Sequence, residues 1–378
     1  MPTIHLFEDD MCVDLHPFHA VEGVQGIRFG GFLQSERWAS VQRSLPLEQG
    51  GPDQIHVNAR WIPGPDALDL LSTLEPGAAL SQDNVLLAKS SVEGGNMVRE
   101  IPSDAPQQLL RSANQLFAEL GAQIVSDRAA LEAEWNLTPM NNQGPTLVFG
   151  PPEDILISPS ASIKAATIDA ESGPVMIGPN ATIEVGAHLK GPLIVGNGAT
   201  VRMAARISGP TVIGDGCKVG GEISNVNFQG WANKAHDGFL GNSVIGRWCN
   251  LGAGTESSNL KNTYGEVRQW DERTQGLVGT GLQFCGLLMG DHSKCGIGTT
   301  FNTGTVVDPA CVIFDAGFPP KHLPAFSWFN ARTQEMRTQD IDRMLSTAEK
   351  VMARRGYTLT HDQRDRLSQL HAERAQRG

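Results

Sequence analysis

Gly173-Pro-Val-Met-Ile-Gly-Pro-Asn-Ala-Thr-Ile183, Gly191-Pro-Leu-Ile-Val-Gly-Asn-Gly-Ala-Thr-Val201 and Gly209-Pro-Thr-Val-Ile-Gly-Asp-Gly-Cys-Lys-Val219 align without a gap, each block eighteen residues after the one before. Inside them aliphatic residues recur every six positions: Ile177, Ile183, Leu189, Val195, Val201, Ile207, Ile213 and Val219. Six is neither the period of a helix nor simple alternation, and self-similarity at a fixed period marks a stacked repeat. Small residues follow at fixed offsets (Gly178, Gly196, Gly214; Ala181, Ala199, Cys217), as short strands joined by tight corners require. Three sides make one coil. The aliphatic side chain points inward, and Gly or Asn takes the positive φ of the corner. The repeat predicts a mainly β chain built around a left-handed parallel β-helix of hexapeptide repeats, a prism whose stacked coils share one core.

The pattern resumes at Ile245 and Leu251, and again at Met289, Cys295, Phe301, Val307 and Ile313 in unbroken six-residue steps. It breaks at Ser224 to Val244 and at Thr255 to Leu287. Long irregular segments in compact domains usually serve function, so both are expected to be loops that build the active site.

Outward from the prism, residues 1–150 read as an α/β domain, 151–325 as the β-helix and 326–378 as a helical segment. Thr3 to Phe7 and Ile27 to Phe32 are expected strands, and Ser35 an N-cap. A helix is expected over Ser103 to Leu120, with the stripe Leu109, Leu110, Ala113, Leu116, Phe117, Leu120 and a stop at Gly121. Gly144 to Pro152 reads as a linker. Near the end, Ile341, Met344, Leu345, Ala348, Val351 and Met352 predict an amphipathic helix closed by Arg354, Arg355 and Gly356. Thr360 and Gln363 form a capping box for another.

The 378 residues contain 42 Gly and 22 Pro but only two Tyr, a surplus that suits a turn-rich repeat. A net charge of −11 and a pI near 5.4 argue against nucleic acid or an anionic membrane as the main partner. The opening MPTIHLFEDDMC lacks a basic start followed by an apolar core, and no stretch reaches eighteen apolar residues, so a cytoplasmic location is expected. The six cysteines lack paired spacing and read as reduced packing residues. No metal ligand set is expected from them.

The run Asn233-Lys-Ala-His-Asp-Gly-Phe-Leu-Gly-Asn-Ser-Val-Ile-Gly-Arg-Trp-Cys-Asn-Leu-Gly-Ala-Gly-Thr-Glu-Ser-Ser-Asn259 resembles the acetyltransferase motif of the GlmU family, the bifunctional glucosamine-1-phosphate acetyltransferases and N-acetylglucosamine-1-phosphate uridyltransferases. With NLKNTYG and GDHSK it is closer to a related branch with a shortened, divergent N-terminal region. LFEDD, Pro17 to Arg28 and VMARRG extend the likeness over most of the chain. The resemblance implies CoA-dependent N-acetyl transfer to an aminosugar phosphate, with acetyl-CoA as co-substrate and a homotrimer whose groove lies between prisms. By position, His236 matches the catalytic base. Lys234, Asn250 and Arg206 are the candidate sugar-phosphate contacts, and Gly252, Ala253 and Asn259 the candidate cofactor contacts. The family's other polar positions are Phe239, Leu260 and Ile297 here, each lacking a hydroxyl.

Acyl transfer needs a base beside the amine and donors for the oxyanion; His236 and the amides of Gly252 to Gly254 are placed for these roles. His292 and His188 read as corner residues. Trp231, Trp248 and Trp270 are candidates either for stacking on an adenine or sugar ring or for packing, and Arg247, Lys261 and Arg268 for holding phosphate. The Gly-rich LAAGxGTRM loop of the uridyltransferases is missing before residue 150, where Glu8-Asp9-Asp10 offers carboxylates for magnesium or an ordinary solvated turn. A sugar-1-phosphate nucleotidyltransferase, with the prism for assembly, and a noncatalytic trimeric assembly protein are the alternative readings.

Overall fold

The computed structural model describes residues 2–45, 54–90, 97–101, 106–141 and 144–377. Its centre is a parallel three-sided β-helix. On the first face, Ile155–Ile157 pairs with Val175–Ile177, then Leu193–Val195, then Thr211–Ile213. The second runs through Thr182–Ile183, Thr200–Val201 and Lys218–Val219, the third through Thr167–Asp169, His188–Lys190 and Arg206–Ser208. The six-residue aliphatic column, from Ile177 through Val219, lies inside as one core, and all six cysteines are buried and free.

One corner is left-handed at coil after coil: Asn180, Gly198, Gly216, Trp231, Trp248, His292, Ala310 and Phe326 all have φ between 55° and 63°. Asn and Gly fill it as expected in the early coils, but Trp, His and Phe, with Ala310, take it later, the rings held there by stacking. Trp231 lies over Trp248 with centroids 5.4 Å apart, and Tyr357 packs on Trp231 at 4.4 Å. Gly216 is glycine for a second reason, since a Cβ there would sit 2.1 Å from the Trp231 ring. Gly198, at φ 63°, has open space around it. Gly216→Ala is therefore expected to destabilise the chain more than Gly198→Ala, by a further 1–3 kcal/mol or so, the usual cost of overpacking; denaturant midpoints of the two variants check this.

The first interruption is no loop. Arg206 pairs with Glu222 and Lys218 with Asn233, so this coil is two or three residues short of eighteen. Glu222–Phe228 and Phe239–Ile245 are continuous seven-residue strands that run round a corner and pair along their length. The period shifts because a corner is shortened, not because chain is extruded. The second interruption is an insertion: Asn250 pairs with Lys294, and the intervening chain carries an antiparallel hairpin, Arg268–Asp271 with Gly276–Gly279.

Ahead of the prism lies a five-stranded mixed sheet in which Thr3–Phe7 runs parallel to Gln54–Asn58. Ile27 to Phe32 is not one strand but a hairpin, Arg28–Phe29 with Phe32–Leu33, because Gly30 turns at φ 70°. Helix Gln34–Ser44 starts one residue before the expected Ser35 cap; the Leu33 amide donates to Glu36 Oε2 at 2.7 Å instead. The expected helix over Ser103 to Leu120 begins outside the described residues, and its remainder is divided: Gln108–Leu109 is a strand, followed by helices Gln115–Ala118 and Leu120–Glu134. Gly121 does not stop a helix. It lies in a first turn pressed on the prism, where a Cβ would meet Pro210 at 3.4 Å. The segment expected as a linker contains Leu147–Phe149, which already pairs with Thr167–Asp169 of the solenoid.

The first face of the prism is apolar on both sides. In Val175–Ile177 and Leu193–Val195 the outer residues face the core, while Met176 and Ile194, with Val212, Val244, Leu288 and Val306, pack outward against Leu116, Phe117, Leu120 and Ile124. Each aliphatic side chain buried this way contributes about 1.5–3 kcal/mol. Polar bonds fix the docking: Arg28 binds Asp215 at 2.6 Å, and Asn227 and Gln229 donate to the Arg28 carbonyl at 2.9 Å. The terminal helices Ile341–Ala353 and His361–Arg377 pack on the chain's own prism through Met344, Leu345, Ala348 and Leu367, beside Ala310 and Phe326. The Thr360/Gln363 capping box is present in both directions, at 3.0 and 3.2 Å. Among the described residues no helix is long and apolar enough to cross a membrane.

Candidate functional site

Register places His236 at the prism corner that follows the second face. Asn233 pairs with Asn250 and Asn250 with Lys294, which stacks His236, Ala253 and Ile297 one above another. The His236 side chain is exposed. Ile297 is 75% exposed, and Met203 and Val185, in the same column on lower coils, are 64% and 49% exposed. This edge is an apolar strip broken by an imidazole.

Of the residues expected to act with His236, most lie near it. Asn250 is on the adjoining face, its Oδ1 accepting from Asn233 at 2.9 Å. Gly252 and Ala253 form the corner of the next coil. Their neighbouring amides are committed, Gly252 to the Cys295 carbonyl at 3.1 Å and Gly254 to that of Asp237 at 3.0 Å. Asn259 donates to Asn242 at 2.7 Å, and its Nδ2 and the Phe239 ring both crowd Gly241. Arg206 is farther off, two coils below Phe239, roughly 10 Å at the strand spacing, and bonded to exposed Glu222 at 3.1 Å.

Lys234 is not on the surface at all. It occupies an interior position between Val219 and Leu251, with Nζ donating to the carbonyls of Gly220 at 3.2 Å and His236 at 2.9 Å. It positions the His236 backbone from within. Burial lowers its ammonium from 10.5 to about 8, against the opposing pull of Glu256 and Asp237. Between those two values the unfolded chain holds the proton more tightly, so this group's burial cost is full below pH 8 and relieved as pH rises toward 10.5. The stability difference between the native chain and Lys234→Met is expected to move in favour of the native chain from pH 7 to pH 10, by at most about 3 kcal/mol; urea unfolding at both pH values measures it.

The other candidates are committed elsewhere. Arg247 is half-buried against Glu22 and the Gly26 carbonyl, Lys261 donates to the Glu266 carbonyl at 3.0 Å, and Arg268 donates to the Leu277 carbonyl across its hairpin. His292 is buried at the left-handed corner and burial lowers its imidazole to about 3, a structural role as expected. Glu8, Asp9 and Asp10 do not converge: Glu8 accepts from the Val24 amide at 2.6 Å, and Asp9 pairs with Arg60 at 2.6 Å. Burial opposes the Asp9 charge, but bonds from Arg60 and Asn58 outweigh it and hold the carboxyl below its usual range.

The inserted hairpin, rather than the first interruption, builds a cleft. It reaches over to the N-terminal domain, with Arg273 on Asp14 at 3.1 Å and Asn114 on Gln269 at 2.9 Å. Beneath it is a cavity of about 570 Å³ whose walls include Gln108, Arg111, Asn114, Gln115 and Gln269. A second space of about 320 Å³ adjoins it, sharing His16, Trp270 and Glu272. There His16 Nε2 lies 2.6 Å from Asp308 Oδ1, and His322 Nε2 lies 3.1 Å from Asp308 Oδ2. Burial opposes the Asp308 charge, yet the two histidines hold its carboxyl far below the usual range. Trp270 stacks on His322 at 4.0 Å rather than joining Trp231 and Trp248. Sequence reading missed this cluster because its three members lie in separate segments with no spacing to connect them.

Residues 4–135 match the family described as sugar nucleotidyl transferase, in agreement with the GlmU-related resemblance of the later segments. No curated protein matches the chain. Among solved structures, a UDP-N-acetylglucosamine acyltransferase from Arabidopsis is similar at 14% identity over 57% of this chain and 77% of its own, with a TM-score of 0.23. One from Campylobacter jejuni is similar at 18% identity over 56% and 82%, with a TM-score of 0.21. The strand register itself defines the fold.

Proposed function

We propose, from the premise that residues 4–135 match a sugar nucleotidyl transferase family, that the chain is a sugar-phosphate transferase whose prism edge carries out CoA-dependent N-acyl transfer to an aminosugar phosphate. The observation that carries this is the exposed imidazole of His236 in an apolar strip, its backbone held from inside by Lys234. In this reading His236 takes the proton from the attacking amine as nitrogen bonds to the thioester carbonyl. The Ala253 amide faces the developing oxyanion, and the C–S bond then breaks to release the CoA thiol. Ile297 and Met203 offer apolar surface to the thiol arm of acetyl-CoA, and the groove is completed by a neighbouring prism in a homotrimer. The hydroxyls lost at Phe239, Leu260 and Ile297 leave fewer polar contacts for the two substrates. Incubating the purified chain with acetyl-CoA and hexosamine phosphates tests the reading: steady thiol release is expected, and release no faster than in buffer sinks it.

A second reading, uridylyl-type transfer to a sugar-1-phosphate with magnesium, is favoured by the match over residues 4–135 and by the amide-lined cleft under the hairpin. Pyrophosphate release from a nucleoside triphosphate and a sugar-1-phosphate is its signature.

A further inference from the structure

We propose that His16, Asp308 and His322 form a binding site for a divalent transition-metal ion, zinc by the chemistry of its donors, in the seam between the N-terminal domain and the prism. One ligand atom from each residue lies within 4.8 Å of the others. The donors come from the C-terminal cap of the 3-10 helix Asp10–Leu15, from a prism corner and from a later coil, so only the tertiary fold assembles them. Asp308 is buried, and both histidines turn Nε2 toward its carboxylate. Two imidazoles and a carboxylate suit zinc far better than magnesium or calcium, which prefer oxygen donors. The surroundings have the form of a ligand shell. Trp270 lies flat on His322, 9° from parallel, and fixes its ring plane, as outer contacts commonly orient metal-bound histidines. Glu272, on the inserted hairpin, brings a further carboxylate oxygen to 3.9 Å from His16 Nε2. The open side faces the space of about 320 Å³, which leaves room for water or a ligand at a remaining coordination position. Three protein ligands and one open position are the pattern of reactive rather than purely structural zinc. The site is separate from the His236 edge. An ion there would tie the N-terminal domain to the prism and set the position of the hairpin over the larger cavity.

The test uses the full chain without an affinity tag, stripped with a chelator and titrated with zinc chloride by calorimetry in the presence of a competing chromophoric chelator. One equivalent per chain is expected, with a zinc-dependent rise in melting temperature. Asp308→Asn leaves a buried site between two histidines short of a charge and risks unfolding. His16→Gln and His322→Gln, at the cavity wall, are therefore the deciding variants, with circular dichroism to confirm that each is folded. Each is expected to weaken zinc binding at least 100-fold, while His188→Gln, on an exposed strand of the prism, leaves it unchanged. Absence of saturable binding by the native chain, or unchanged affinity in both deciding variants, overturns the proposal and leaves the cluster as a hydrogen-bonded His–Asp–His contact. Because the readout is metal binding alone, either result is independent of acyl transfer.

Discussion

His236→Ala is expected to lower thiol release from acetyl-CoA by about 10²- to 10⁴-fold, the range over which a positioned general base accelerates proton transfer. Fold and stability are expected to stay within about 0.5 kcal/mol of the native chain, as for most surface substitutions, because the ring is exposed at a corner and the ladder beneath it is made by backbone groups. The loss should fall on kcat, with KM for acetyl-CoA little changed, since the strip that would hold the thiol arm belongs to Ile297 and Met203. Full activity in a folded His236→Ala chain would remove this residue from the chemistry and with it the assignment of acyl transfer to the His236 edge. Lys234→Met separates positioning from catalysis: it removes the ammonium that grips the His236 carbonyl but leaves the imidazole, so a smaller loss of rate is expected than for His236→Ala.

Asp127→Ala is expected to destabilise the chain by about 3–5 kcal/mol, the cost of leaving a buried partner charge uncompensated. Both Asp127 oxygens are used. Oδ1 accepts from Arg37 Nη1 at 2.6 Å and Gln123 at 2.8 Å, and Oδ2 from Arg37 Nη2 at 2.6 Å and the Gly31 amide at 2.8 Å. Arg37 in turn donates to the Phe29 carbonyl. One carboxylate therefore joins the Gly30 turn, helix Gln34–Ser44 and helix Leu120–Glu134. Gly30 belongs to the same construction, since at φ 70° a Cβ would lie 2.2 Å from Asp127 Oδ2. Guanidinium chloride unfolding gives the value. The pair Arg37→Met with Asp127→Leu is expected to lose much less than the two single changes added together, because neither charge then stays buried alone.

How much of this could be read in advance depends on whether the information is local. The interior column from Ile177 to Val219 is visible because every coil repeats the same environment. The Thr360/Gln363 cap is visible because its two halves lie three residues apart. Ser224 to Val244 reads as a loop because a corner shortened by two or three residues breaks the six-residue count as thoroughly as a loop does. The helix expected to end at Gly121 failed for a related reason: glycine that stops a helix and glycine that lets a helix approach a proline are the same letter, and only Pro210 on the facing prism distinguishes them. At the candidate site, the register stacks Ala253 beside His236 with Gly252 next to it and Asn250 on the adjoining face, whereas Asn259 bonds to Asn242 at the other end of the third face. The motif could not tell that Lys234 points inward, because the six-residue register that would have placed it had just been broken.

The solenoid, its inward face and the terminal helices are legible along the chain, since periodic burial of apolar side chains needs no distant partner to be recognised; the outward packing of Met176 and Ile194 is not. Tertiary structure alone decided where the N-terminal domain sits, which corner residues tolerate positive φ, and that His16, Asp308 and His322 meet. Those outcomes are set by contacts between distant residues, such as His16 and Asp308, 292 positions apart. They depend on how completed surfaces fit one another, and no spacing along the chain encodes that fit.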